Sequence, residues 1–315
     1  MRRKSIHRFS TLLGLALCMA SPSGLGAAEA EGCVPVGAWV DPASGERRAD
    51  MPAALAGRSV VLLGESHDAA EHHRWQLHTI AALHGHRRDI VLGFEMFPRR
   101  VQPVLDRWVA GELNEADFLR EVDWRKAWGM DSDLYMPLFH FARMHRVPML
   151  ALNVDRAVSR RIASDGLAAL SAAEREGVDD PAPAADAYRA RLFEIFLTHA
   201  KEGERPSAES GEFRRFVEAQ LFWDRAMAEP IGEVAARAQP GRAAPLVIGI
   251  MGQGHVQYGE GVPHQLAALG IHDVATALPW DTEDCDGLDP DVADAVFGLA
   301  PPERDDDSEG SRQDR

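Results

Sequence analysis

Val60-Val61-Leu62-Leu63-Gly64-Glu65-Ser66-His67-Asp68 is the stretch that decides how this chain is read. An apolar, β-branched run stops at a glycine and gives way at once to acid, hydroxyl, imidazole and acid. In an open α/β sheet the ligand crevice lies outside the carboxyl ends of the strands, so this is a place for chemistry. The device recurs. Ile90-Val91-Leu92-Gly93-Phe94-Glu95 brings a second carboxylate, the run 147–152 ends before Asn153 and Asp155, and the run 246–251 leads into Gly252-Gln253-Gly254-His255. Polar groups at four strand ends on one rim are hard to obtain from a merely structural sheet.

Between these runs the spacing turns helical. Trp75, Leu77, Ile80, Ala81 and Leu83 predict a helix over 69–84. Pro98 suits a helix's first turn and opens a segment with Val101, Val104, Leu105 and Trp108 on one face. Asn114 with Asp117, and Asp131-Ser132-Asp133, carry N-cap signals for two more helices. Residues 155–170 read as helix, 177–185 as a loop containing Pro181 and Pro183, and 185–238 as two long helices with a polar break at 202–210. A helix near 263–269 and a strand over 272–278 close the alternation, while 33–46, rich in Pro and Gly, reads as loop. The expectation is an α/β fold: a mostly parallel sheet covered by helices on both faces, with an additional helical layer or lid from 185–238.

At 315 residues, 45% hydrophobic, the composition is that of an ordinary globular chain. The formal net charge of -15 excludes a nucleic-acid surface, which needs clustered Lys and Arg. Arg2, Arg3, Lys4 and Arg8, the apolar run 12–20, and a small-residue stretch ending Ala27-Ala28-Glu29-Ala30 have the layout of a secretory signal too short to span a bilayer. The expected organisation is a signal peptide over 1–30, one α/β domain over 31–300 and a disordered acidic tail over 301–315. Leu17 before Cys18 argues against lipoprotein anchorage, since a small residue belongs there. That leaves Cys33 and Cys285, readable either as a disulfide worth up to about 4 to 5 kcal/mol in the chain-entropy model or as two free thiols.

Glu65, His67, Glu95 and His255 form the candidate constellation, because carboxylates and imidazoles converging on one crevice can bind a divalent metal or act as acid and base. The bland alternative is that Glu65 and His67 cap the following helix. His72 and His73 follow on that helix; one of them, with His72 preferred, is a further candidate metal ligand. The His-x-x-Glu-His and His-Glu-x-x-His zinc motifs, the serine elbow and phosphate-binding glycine loops are absent. Tyr135, among Trp124, Trp128, Met130 and Met136, and Tyr258, close after His255, are candidates for a haem-ligating phenolate. Arg99 and Arg100 are candidates for pairing with haem propionates, or merely with acidic surface.

Taken together, Leu62-Leu63-Gly64-Glu65-Ser66-His67 with Glu71-His72-His73, Gly93-Phe94-Glu95-Met96-Phe97-Pro98-Arg99-Arg100, Ala151-Leu152-Asn153, and Gly252-Gln253-Gly254-His255-Val256 with Gly261-Val262-Pro263 closely resemble the ChaN-like haem-binding uptake family. The resemblance runs from about residue 60 to 278. It belongs to a wider group with the Tiki metalloproteases and erythromycin esterases. It implies an exported, periplasmic protein that binds haem noncovalently for haem or iron uptake, with Glu65, His67, Glu95 and His255 matching the superfamily's cluster of acids and imidazoles. The partners expected are haem and a second copy of the chain. The alternative reading is a metal-dependent hydrolase of ester or peptide bonds working through the same cluster.

Overall fold

The computed structural model describes residues 33–198, 206–237, 244–282, 285 and 287–302. The expected signal peptide, part of the break at 202–210 and the tail from 303 lie outside these residues. The chain opens with two short strands, β1 (Trp39–Asp41) and β2 (Glu46–Arg47). Then follow α1 (Met51–Ala56), β3 (Val60–Glu65), α2 (Ala70–His86), β4 (Ile90–Pro98), α3 (Gln102–Ala110), α4 (Glu115–Glu121), α5 (Trp124–Ala127), α6 (Met136–His145) and β5 (Met149–Asn153). The second half runs α7 (Arg156–Asp165), α8 (Asp186–Thr198), α9 (Gly211–Ala235), β6 (Leu246–Gly252), α10 (Val262–Ala268), β7 (Val274–Trp280) and β8 (Ala295–Gly298).

The eight strands among the described residues form one sheet in the order β2-β1-β8-β7-β3-β6-β4-β5. The six from β8 to β5 are parallel, and β1 and β2 add an antiparallel edge. Successive residues of a strand point to opposite faces, and the core divides accordingly. Val61, Leu63, Leu92, Phe94, Ile248 and Ile250 face a cluster with Ile80 of α2, Leu105 and Trp108 of α3, and Leu138 and Phe139 of α6. Val60, Leu62, Val91, Val247 and Met251 face the other, with Met227, Ala228, Ile231 and Val234 of α9 and Val262 and Leu266 of α10. Burial on both faces is why these strands read as continuous apolar runs. The α/β expectation and the second helical layer are therefore met.

Register sets the site. Glu65 pairs with Gly252, and Phe94 with Ile250, so the carboxyl ends of β3, β6 and β4 stand level. Helix α9 does two jobs. Its first half packs on α8 through Tyr188, Leu192, Phe213, Val217 and Leu221, and its second half covers the sheet.

Two expectations need correction. Pro98 is both the last residue of β4, pairing with Asn153 after an irregularity in the ladder, and the N-cap of a 3-10 turn, Arg99–Val101, that leads into α3, whose own first turn holds Pro103. A strand end needs no amide N–H there, which is where a sheet tolerates proline. The supposed loop 33–46 contains β1, and β8 follows β7 unannounced; both are too short for a period of two to register.

Cys33 and Cys285 are disulfide-bonded, with Cα atoms 5.4 Å apart and a separation of 252 residues. Denaturant unfolding with and without reductant is expected to show the bridge contributing up to roughly 5 kcal/mol, the upper limit for a loop this long; an unchanged midpoint would mean that the reduced denatured chain already holds these ends together.

Candidate functional site

Glu65 ends β3 and Glu95 lies in β4, each 1% exposed. A buried carboxylate needs partners, and each has an imidazole. His67, just past β3, donates from Nδ1 to Glu65 Oε1 at 2.6 Å and sets its ring edge-on to Trp128 with centroids 4.7 Å apart. Its side chain stays 38% exposed, at the mouth of the site. His255, in the turn after β6, has Nε2 3.5 Å from Glu95 Oε1 and donates from Nδ1 to Asp224 Oδ1 at 2.5 Å. The Gly252 N–H donates to Glu95 Oε2 at 2.7 Å, and Asn153 Nδ2 donates to the Glu95 carbonyl at 3.1 Å.

Behind these lie two tyrosines. Tyr188 of α8 donates to Asp224 Oδ2 at 2.8 Å. Tyr135 places its hydroxyl 3.4 Å from both Glu65 Oε1 and the His67 carbonyl. Two glycines at the turn have a steric reason. A Cβ on Gly252 would meet His67 Cε1 at 2.9 Å, and one on Gly261, at φ +60, would meet the His255 carbonyl at 2.6 Å.

Electrostatics follow from this packing. Burial drives the His255 pKa down, but the charges of Glu95 and Asp224 and the hydrogen bonds to them outweigh it and push the pKa up to about 10. Glu95 ends below its usual range: burial opposes ionisation, but His255, His67 and the Gly252 N–H prevail. Asp224 is held up by burial despite the same imidazole and Tyr188. His67 is raised too, burial being overcome by its bond to Glu65 and the charge of Glu95.

The structure thus brings Glu65, His67, Glu95 and His255 to one place and sends other candidates elsewhere. His72 is structural: its Nδ1 accepts from the Ser66 N–H at 2.9 Å and its Nε2 donates to Asp281 at 3.1 Å. His73 is the helical histidine nearer the cluster, with Nε2 donating to the His67 carbonyl at 3.1 Å and lying 3.9 Å from Glu65 Oε2. No group of three or more His, Cys, Asp or Glu among the described residues is arranged to hold a metal ion. The expected metal set of Glu65, His67, His72, Glu95 and His255 does not form a shell, because these donors are engaged with one another and His72 with a loop.

Tyr135 is fully buried, stacked on Phe139 and tilted against His73, and burial together with the Glu65 charge raises its pKa. A neutral, enclosed phenol is the opposite of an open phenolate ligand. Tyr258 lies under the Arg191 guanidinium, 3.7 Å from its ring centroid, and lines a separate groove beside α1 and β7. Arg99 donates to the Ala226 carbonyl and to Glu229, bracing α9. Arg100 alone of these four faces the cleft next to the cluster.

That cleft, about 290 Å³, has buried Glu95, Asn153 and Trp128 among its walls, with half-buried Trp223 and the exposed cations Lys126, Arg156 and Arg160. Asp224, Tyr188, Trp223 and the α7 arginines were missed by sequence reasoning. One signal existed: Asp224 interrupts Leu221-Phe222-Trp223 and Ala226-Met227-Ala228 on a helix, and an acid inside an apolar stretch requires a buried partner.

Fold and cluster define an α/β protein with paired acid–imidazole groups at the strand ends. The chain belongs to the family described as "Haem-binding uptake, Tiki superfamily, ChaN", whose pattern it matches over residues 51–266. Among solved structures it is similar to ChaN of Campylobacter jejuni, described with cofacial haem binding: 17% identity, 82% of this chain, 95% of that one, TM-score 0.59. An erythromycin esterase in its open conformation matches at 13% identity over 76% of each chain, TM-score 0.44. The type III effector HopBA1 matches at 12% over 80% of this chain and 92% of that one, TM-score 0.42. At these identities the likeness is one of fold. No curated protein matches the sequence.

A histidine whose folded pKa stands above its unfolded value of about 6.5 stabilises the native state fully below that pH, and the contribution is lost as the pH rises through the folded value. With His255 raised to about 10, the unfolding free energy should fall across this window, by up to about 1.4 kcal/mol per pH unit. Urea titrations of His255→Gln should show a shallower fall; an identical slope would place the charge elsewhere.

Proposed function

We propose that this protein binds haem noncovalently in the cleft at the strand ends and serves haem or iron uptake as an exported, periplasmic protein. The observation that carries the reading is the division of the cleft's surface. Its inner wall holds the Glu95 carboxylate beside His255, its sides are the indoles of Trp128 and Trp223, and its rim is cationic. Ferric haem has the complementary form: a positive centre, a flat apolar body and an anionic periphery. Family membership supports the same ligand, and aromatic walls with few placed charges are the usual makeup of a cofactor site. Here Trp128 and Trp223 would hold the macrocycle and exclude water from it, while iron supplies the redox and ligation chemistry.

A second reading has its own observation. The Asp224–His255–Glu95 chain and the half-exposed His67 are acid and base groups poised at one crevice, which suits hydrolysis of an ester or peptide bond. In this reading a divalent metal held by His67, His255 and a carboxylate would activate water, with Glu65 or Glu95 as the base.

Titrating the mature, metal-stripped chain with ferric haem while recording its absorption tests the first reading, and a saturable spectrum is expected. Tyr135→Phe should keep that spectrum, because the phenol is enclosed; its loss would mean the core opens to present the tyrosine to iron. Absence of saturable binding, with ester turnover that Glu65→Gln abolishes, would establish the hydrolase. A second copy of the chain is the other proposed partner, read by sedimentation with and without haem.

A further inference from the structure

The cations at the cleft have little to neutralise them. In a chain of net charge -15, the side chains of Lys126 and Arg160 make no ion pair or hydrogen bond among the described residues, although both line the cleft. Arg156 stands one helical turn before Arg160 on α7, lies 5.4 Å from the Trp128 ring centroid, and spends one nitrogen on the Trp128 carbonyl at 3.1 Å. Residues four apart share a helix face, so the two arginines point the same way.

The start of α7 adds to this. Asp155 is its N-cap, yet the side chain makes no capping bond; its carboxylate accepts from Arg100 Nε at 3.0 Å instead. Asp155, Arg156 and Ala157 all line the cleft, so the uncapped first turn, with its positive end of the helix dipole, borders the same space. A second pocket of about 290 Å³ adjoins it and shares Asn153, Val154, Arg156, Arg160 and Trp223, extending the cavity along α7. Finally, the indole N–H of Trp223 is buried with no hydrogen-bond partner, in a side chain that walls this cavity.

From these observations we infer that the α7 side of the cleft is a carboxylate-recognition site, in which Arg156, Arg160 and Lys126 select tetrapyrroles by their free propionates. The inference rests on the haem-binding reading and adds to it the groups that decide which tetrapyrroles are accepted. Guanidinium groups bind carboxylates through paired N–H donors, and a partly enclosed cleft strengthens such contacts over the same pair in open water. Arg100 contributes less, since Asp155 already engages it.

The experiment compares ferric haem with its dimethyl ester, which keeps the macrocycle and iron but has lost both carboxylates. The intact chain is expected to bind haem about tenfold more tightly than the ester, the scale of one net charge-assisted contact. In the Arg156→Gln, Arg160→Gln double variant the ratio of the two affinities should fall to about one. Both positions are exposed, and an unchanged melting temperature checks the fold. Equal affinity of the intact chain for the two ligands overturns the inference while leaving haem binding in place. So does discrimination that survives in the double variant. No saturable binding of either ligand overturns the haem-binding reading and the inference with it.

Discussion

The site depends on a buried imidazolium held between two carboxylates. His255 sits between Glu95 on β4 and Asp224 on α9, with almost no solvent contact. Removing one member of such a set leaves an uncompensated charge in the interior and costs about 3–5 kcal/mol. The interaction therefore does more than populate a site. It ties the end of β6 to a neighbouring strand and to the long helix that crosses the sheet, and so fixes where α9 lies over the strand ends.

The Glu65–His67 pair repeats the arrangement with one difference. Its imidazole reaches solvent, and its carboxylate is backed by Tyr135 and His73 on the helical side of the sheet. The protein thus has one acid–imidazole pair sealed and one open. The sealed pair is structural in its energetics, while the open pair adjoins the cleft in which we propose that haem is bound. Tyr135 belongs to the support of Glu65, and its ring completes an aromatic layer with Trp124, Trp128 and Phe139 that positions the cleft wall.

A division of charge follows. Glu65 and Glu95 are drawn inward by imidazoles and amides, while at the cleft Arg100 is paired with Asp155 and the side chains of Lys126 and Arg160 are left without an acid partner among the described residues. Unpaired cations at one opening of an acidic chain are the feature on which the proposed recognition of an anionic ligand rests.

By itself the sequence determined the strand and helix alternation, the two-faced burial of the sheet, and four of the side chains that meet at the strand ends. Continuous apolar runs ending in glycine and acid encode all of these locally. It left other things undecided because their causes are remote along the chain. Asp224 becomes part of the site only when α9 crosses β6, and His73 displaces His72 because the rotation of α2 is set by packing against α6. Tyr135, which composition alone makes as good a ligand as any phenol, is enclosed by aromatic residues from α5 and α6. The pairing of Cys33 with Cys285 and the gathering of Lys126, Arg156 and Arg160 around one cleft likewise require the chain to be folded, because distance through space, and not spacing along the sequence, decides which charges face one another.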